Sequence, residues 1–195
     1  MKRDIILAGV GGQGIISIAA IIGYAALQQG LYLKQSEVHG MSQRGGDVQS
    51  NLRISDKEIA SDLIPYGKAD LIISVEPLES LRYLPYLDSA GHLITSTKPF
   101  INIPNYPDME KIMEEIGKVP HHIALDADQI AKDLGSVKAA NIVILGASSP
   151  FLGMDYTKLE ESIRYTFRKK GDAVIEMNLQ ALQKGRAFTT QFEKV

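Results

Sequence analysis

Residues 4 to 27 constrain the fold more tightly than any other stretch of the chain. Asp4-Ile5-Ile6-Leu7-Ala8-Gly9-Val10 is a short apolar run of the kind buried on both faces in a parallel sheet. It leads into Gly9-Val10-Gly11-Gly12-Gln13-Gly14. Ile15 to Leu27 is then apolar almost throughout, with only Ser17 and Tyr24 bearing polar atoms. That composition predicts a helix covered on all sides. Gln28-Gln29-Gly30 ends it, with Gly30 as a left-handed cap, and Leu31 to Val38 reads as a second strand. Strand, glycine turn, helix and strand in this order open a doubly wound, Rossmann-like α/β fold.

The remaining pattern extends this opening into a mostly parallel sheet with one small antiparallel excursion after the second strand. Val48 to Ser55 alternates, with Val48, Ser50, Leu52 and Ile54 on one side and Gln49, Asn51 and Arg53 on the other. Asp56-Lys57 would turn it, and Glu58-Ile59-Ala60 would form a short return strand. Further strands are predicted at Ala69 to Val75, His92 to Ser96 and His122 to Leu125. Helices are predicted at Glu76 to Tyr86, with Pro77 in its first turn, and at Asp108 to Lys118, with Asp108 as cap. Another falls at Asp126 to Leu134; Ala139 to Ala147 fits either helix or strand, and Asn141 and Gly146, which suit packing against a partner, favour the helix. Thr157-Lys158-Leu159-Glu160 fits a capping box for a helix whose Leu159, Ile163 and Phe167 share one face and which Gly171 stops. Ile175, Leu179 and Leu182 mark a last helix, and the polar tail after Gly185 is expected to be loose. Pro99 to Pro107, with three prolines and two asparagines, is a loop. With no repeat, low-complexity tract or linker, residues 1–195 read as a single domain.

Composition removes several functions. Lys and Arg number 21 against 23 Asp and Glu, a net charge of -2, which argues against general nucleic-acid binding. No apolar run reaches the roughly 18 residues that span a bilayer. Met1 to Leu7 runs directly into a strand pattern with no signal core, so a cytoplasmic protein is expected. There is no Cys, which rules out a disulfide, a thiolate nucleophile and an ordinary iron–sulfur cluster held by this chain. Trp is absent too. His39, His92, His121 and His122 lack metal-ligand spacing with an acid. Ser148-Ser149-Pro150 is a helix-ending turn without the hydrolase elbow, and Arg168-Lys169-Lys170 is a solvated helix end. Tyr83 and Tyr86, set among leucines, belong to core or interface.

Two glycine-rich segments remain as candidate chemistry. Gly9, Gly11 and Gly14 satisfy G-x-G-x-x-G between a strand and a helix, where small residues let backbone N–H groups approach a phosphate. Glu37 stands near the place of the acid that would take ribose hydroxyls in a dinucleotide site. The same glycines are equally suited to tight strand-to-helix packing. Two details tell against the dinucleotide: Gly12-Gln13 sets an amide at the mouth of the turn, and a second glycine-rich segment follows Glu37 at once. That segment, Glu37-Val38-His39-Gly40-Met41-Ser42-Gln43-Arg44-Gly45-Gly46-Asp47-Val48, clusters an acid, an imidazole, an amide and a guanidinium. The planar fork of Arg44 suits phosphate or carboxylate. It could also pair with Asp47 or Glu37 in a purely structural turn, and spacing leaves the two open. In a doubly wound sheet the two segments would share one rim.

These two strings, with Ala140-Asn141-Ile142-Val143-Ile144-Leu145-Gly146, closely resemble the small gamma-type domain of 2-oxoacid:ferredoxin oxidoreductases. In length the chain is most similar to the free-standing small subunits of the members acting on indolepyruvate and other arylpyruvates. The resemblance implies an accessory subunit. A large partner would carry thiamine diphosphate, Mg and [4Fe-4S] clusters, and the complex would decarboxylate the oxoacid, pass electrons to ferredoxin and form an acyl-coenzyme A. The absent Cys fits that division. So does the absent Gly-Asp-Gly of a thiamine diphosphate motif, since Gly46-Asp47-Val48 and Gly171-Asp172-Ala173 fail at the third place. The resemblance assigns no catalytic residue and no metal ligand here. It sets Gly9, Gly11, Gly12, Gln13, Gly14, Glu37, His39, Gly40, Met41, Ser42, Gln43, Arg44, Gly45 and Gly46 toward the partner's active site, where they would meet coenzyme A, substrate or only the partner. The alternatives are a self-sufficient NAD- or FAD-binding oxidoreductase or sensor, and a scaffold.

Overall fold

A computed structural model describes residues 1–40 and 45–192. In chain order the elements are β1 (Lys2–Val10), α1 (Ile15–Gln28), β2 (Tyr32–His39), β3 (Asp47–Ser55), β4 (Ala69–Ser74), α2 (Pro77–Arg82), β5 (Leu87–Ser96), α3 (Met109–Gly117), β6 (His122–Leu125), α4 (Ala127–Asp133), α5 (Ala140–Ser148), α6 (Tyr156–Phe167) and α7 (Asp172–Phe192). The strands form one mixed sheet in the order β2-β3-β1-β4-β5-β6. β1, β4, β5 and β6 are mutually parallel, and β3 runs antiparallel to both of its neighbours, β1 and β2.

The apolar strands bury both faces, as a parallel sheet between helices requires. Ile5 and Leu7 of β1, with Leu71 and Ile73 of β4, face a core closed by α1, α4, α5, α6 and α7. Ile6, Ala8 and Ile72 point the other way, toward a smaller core under α2 and α3. This period-two division is what an unbroken apolar strand gives when both sides are covered.

The antiparallel excursion has a different form from the expected one. β3 enters the sheet between β1 and β2, so the second strand does not lie beside the first. Glu58-Ile59-Ala60 forms no return strand. Polar side chains of the sheet tether that stretch instead: Lys34 Nζ donates to the Ala60 carbonyl at 3.0 Å, and the Arg53 guanidinium donates to the Ser61 and Leu63 carbonyls at 3.0 and 2.9 Å. Asn51 Oδ1 accepts from the Ile64 amide.

Three local expectations are also corrected. α1 is apolar all round yet not covered all round: Ile16 and Leu27 are each 59% exposed, while Tyr24 is stacked on Tyr165 of α6 at 4.3 Å. The cap of α6 is Asp155, whose carboxylate accepts from the Thr157 amide at 3.0 Å, so Thr157 does not hold that place. The tail after Gly185 is helical through Phe192. It is held because Gly185 lies against the α5 backbone, where a side chain could not fit, and buried Thr189 donates to the Ala147 carbonyl at 2.8 Å. Gly30 does end α1 in the left-handed region, at φ +70°.

Candidate functional site

α1 leaves β1 toward one face of the sheet and α2 leaves the adjacent β4 toward the other. Between the carboxyl ends of such diverging strands a doubly wound sheet leaves a crevice, the usual ligand position of this architecture. Here it is a cleft of about 650 Å³ whose wall includes Gly12, Gln13, Gly14, Lys138, Asn141 and Asn178. A neighbouring recess of about 460 Å³ shares Gln13 and Asp128 with it and adds Lys98 and Lys132.

The glycine turn is organised by its own glutamine. The Gln13 amide N–H donates to the Val10 carbonyl at 3.1 Å, and the Val10 amide donates to Gln13 Oε1 at 2.8 Å. Gln13 Nε2 then reaches across the crevice to the Val75 carbonyl at 3.4 Å. Gly14 opens α1 at φ +83°, and a Cβ there would collide with the side-chain amide of Asn141, which donates to the Gly14 carbonyl at 3.1 Å. α1 has no side-chain cap and no acid in its first turn. Its positive end therefore lies in the wall of a cleft that Lys138 and Lys170 also line. Asp128 is the counterweight, and burial, with Asp126 nearby, raises its carboxyl above the usual range. The arrangement can hold an anionic group. Among the described residues, no three His, Asp or Glu side chains are grouped to hold a metal ion, and no helix is long and apolar enough to cross a membrane.

The second glycine segment is bonded to the first. The Gly11 amide donates to the Gly46 carbonyl at 2.8 Å, and the Gly40 amide donates to the Asp47 carbonyl at 2.9 Å. Glu37 makes an ion-pair contact with His39 Nε2, and both sit on β2. Gln35 Nε2 donates to Ser50 Oγ at 3.1 Å beside them. Asp47 accepts from the Tyr83 hydroxyl at 3.4 Å, and burial pushes that phenol well above its ordinary range. Met41, Ser42, Gln43 and Arg44, and with them the pairing of Arg44 with Asp47 or Glu37, lie outside the described residues.

Of the residues singled out in the sequence, Gly12, Gln13 and Gly14 line the cleft, whereas Gly11, Gly40 and Gly46 serve the joint between the two segments. Glu37 and His39 line neither cavity. The charged lining was not legible, because Lys138 and Lys170 of the cleft, and Lys98 and Lys132 of the recess with Asp126 and Asp128, are scattered in sequence and meet only through the fold. Glu76 and Asn102 went unnoticed for the same reason. Glu76 caps α2, and Asn102 Nδ2 donates to the Gly45 carbonyl at 2.7 Å. Asn141, in the third string of the resemblance, was the one signal for the far wall.

A mixed six-stranded sheet covered by helices on both faces is the fold of the gamma subunits of oxoacid:ferredoxin oxidoreductases. Residues 4–188 match the pyruvate ferredoxin/flavodoxin oxidoreductase family, and the chain belongs to it. It is 38% identical over 194 residues to the indolepyruvate oxidoreductase subunit IorB of Archaeoglobus fulgidus, an alignment covering 95% of this chain and 94% of that one. The gamma subunit of a keto/oxoacid ferredoxin oxidoreductase from Geobacter sulfurreducens superposes with a TM-score of 0.72 at 25% identity, over 97% of this chain and 99% of that one. The 2-oxoglutarate:ferredoxin oxidoreductase of Magnetococcus marinus shares the fold, with a TM-score of 0.77 at 24% identity. That match covers 97% of this chain and 31% of the longer one.

Proposed function

We propose that this chain, as one gamma-type domain over residues 1–195, is the accessory subunit of a cytoplasmic indolepyruvate- or arylpyruvate-oxidising 2-oxoacid:ferredoxin oxidoreductase. The observation that carries the reading is the Gly11–Gly46 bond, which joins the two strings of the resemblance into one surface. A large partner supplies thiamine diphosphate, Mg and the [4Fe-4S] clusters, for which this chain has no cysteine ligand. Ferredoxin is the acceptor and coenzyme A the acyl acceptor. Gly9 to Gly14 and Glu37 to Gly46, with Arg44 among them, face the partner's active site. There, charged groups aimed at an anionic co-substrate act with more force than in water, because closure of the two subunits excludes solvent.

The test is reconstitution. The isolated chain should turn over no arylpyruvate, and adding the large subunit should restore coenzyme A-dependent reduction of ferredoxin. Activity from the small chain alone, or full activity from the large subunit alone, would refute the proposal. Titration of NAD, NADP and FAD into the isolated chain should show no tight binding. Arg44→Ala should raise the KM for coenzyme A or the oxoacid if the guanidinium meets ligand, and weaken assembly if it only packs.

A further inference from the structure

The loop of residues 97–107, between β5 and α3, combines two properties that rarely occur together. Its tip is apolar and open to solvent: Phe100 is 43% exposed, Ile101 72% and Ile103 38%. Isolated apolar side chains on a surface need no explanation, but three within four residues form a patch. The loop is also pinned. Glu76, only 1% exposed, is fixed at the carboxyl end of β4 because its Oε2 caps α2 by accepting from the Glu79 amide at 2.8 Å. Its Oε1 accepts from the Phe100 amide at 3.2 Å and from the Tyr106 hydroxyl, so one buried oxygen holds both sides of the loop. The tip between them is fastened by Asn102, whose Nδ2 donates to the Gly45 carbonyl at 2.7 Å.

A free loop carrying Phe100, Ile101 and Ile103 would lower its free energy by folding them down. These bonds prevent that. The ordering that a partner would otherwise have to impose is already present, which is how preorganised contact surfaces gain affinity. The attachment point also says where the patch belongs. Gly45 lies one residue from Gly46, which is bonded to Gly11, so the loop is continuous with the surface assigned above to the partner's active site.

We propose, resting on that assignment, that Phe100, Ile101 and Ile103 dock into an apolar recess of the thiamine-bearing large subunit. Glu76 and Asn102 act as positioning residues that present this loop and the glycine rim as one body. The complex would then have two adjoining contacts, one polar and rich in glycine, the other apolar.

The experiment measures binding of the full-length small chain to the purified large subunit. Ile101→Asp puts a charge where an apolar contact is proposed, and at 72% exposure it should leave the fold intact. It should raise the dissociation constant at least about tenfold, the loss expected for a central apolar contact. Leu27→Asp is the control, on an exposed residue about 18 Å along α1 from the rim. It should change binding less than about twofold. Asn102→Ala removes the latch and leaves the patch intact. It should weaken binding by about 2- to 10-fold, the effect of one hydrogen bond. Wild-type affinity in Ile101→Asp, or equal losses in Ile101→Asp and Leu27→Asp, would overturn the docking proposal and leave the accessory-subunit reading standing. A wild-type chain that does not bind the large subunit would remove both.

Discussion

Replacing Gly185 by alanine should destabilise the chain, although it improves helix propensity. Gly185 lies inside α7. By propensity alone the substitution should gain about 1 kcal/mol. The added methyl, however, would overlap the Val143 carbonyl oxygen and sit 2.8 Å from the Ala147 nitrogen and 2.9 Å from the Val143 carbonyl carbon. Those are backbone atoms of α5, whose Ile142 to Ala147 are fully buried, so no side chain can swing aside. Relief requires lifting α7 off α5. Overpacking of this kind costs about 1–3 kcal/mol, and rigid backbone on the receiving side places it at the upper end. The net is a loss of about 2 kcal/mol. For a chain of this size that lowers Tm by roughly 4–8 °C. Gly117→Ala, at the end of α3, is the matched comparison: its methyl would meet nothing within 4 Å, so Tm should hold or rise by up to about 3 °C. Thermal unfolding followed by circular dichroism, on both variants at equal concentration, reads the difference. A Gly185→Ala melting point at or above wild type would mean that α5 and α7 do not pack backbone to backbone. The cleft wall built from Val174, Met177 and Asn178 would then be misplaced too.

Two smaller perturbations test other parts of the structure. Asp155→Ala should cost about 1 kcal/mol of stability, and Thr157→Ala less than about half of that, because the Asp155 carboxylate is the group that caps α6; the reverse order in urea-unfolding midpoints would restore Thr157 as cap. Burial raises the Glu79 carboxyl above its ordinary range even with Arg82 at 2.7 Å. The folded chain therefore holds that proton more tightly than the unfolded one. The Glu79 contribution to stability should fall as pH rises from about 4.3, the unfolded carboxyl value, through the raised folded value, and level off above it. Glu79→Gln removes that slope, and the stability of wild type relative to this variant should decline across the window. A difference that instead grew with pH would mean that the Arg82 pair outweighs burial.

Much of the fold was legible because the chain states it locally. The apolar strands have no reading other than a sheet covered on both faces, and Gly30, at the end of an apolar run, is a stop that only a residue free to adopt positive φ supplies easily. What was not legible depends on partners remote in sequence. Gly185 reads as a helix end because glycine usually is one; its role in the helix is set by Val143, some 40 residues earlier. The Glu58–Ala60 stretch follows a turn as a return strand would, but Lys34 takes the Ala60 carbonyl and Arg53 holds the chain just beyond it at Ser61 and Leu63. The exposed flank of α1 could not be inferred from a composition that is apolar in every direction. The site divided along the same line. Its glycine turn and second glycine segment were visible as strings, whereas its lysines, Glu76 and Asn102 become neighbours only through the fold.

The position of β3, between β1 and β2, also decides what the glycine turn can do. In a dinucleotide fold the acid-bearing strand lies next to the first strand, about 4.8 Å away, so the acid reaches the ribose of a nucleotide whose pyrophosphate rests on the turn. With β3 between β1 and β2, Glu37 moves out by a further strand spacing, and its carboxylate is engaged by His39. The place beside Val10 and Gly11 passes to Asp47 and Gly46, which offer a carbonyl, and the Gly11 amide is used on it. Inside the turn, Gln13 takes the Val10 amide and spans to Val75, a bridge where a dinucleotide would need open ground. The first amides of α1 still face the cleft, so an anionic group can be held there, but the ribose-reading half of the motif has been dismantled. The same glycines that would bring a phosphate close now bring two loops and a third, 97–107, into contact. A glycine-rich rim fastened in this way serves as a shaped surface for a reaction centre supplied from outside.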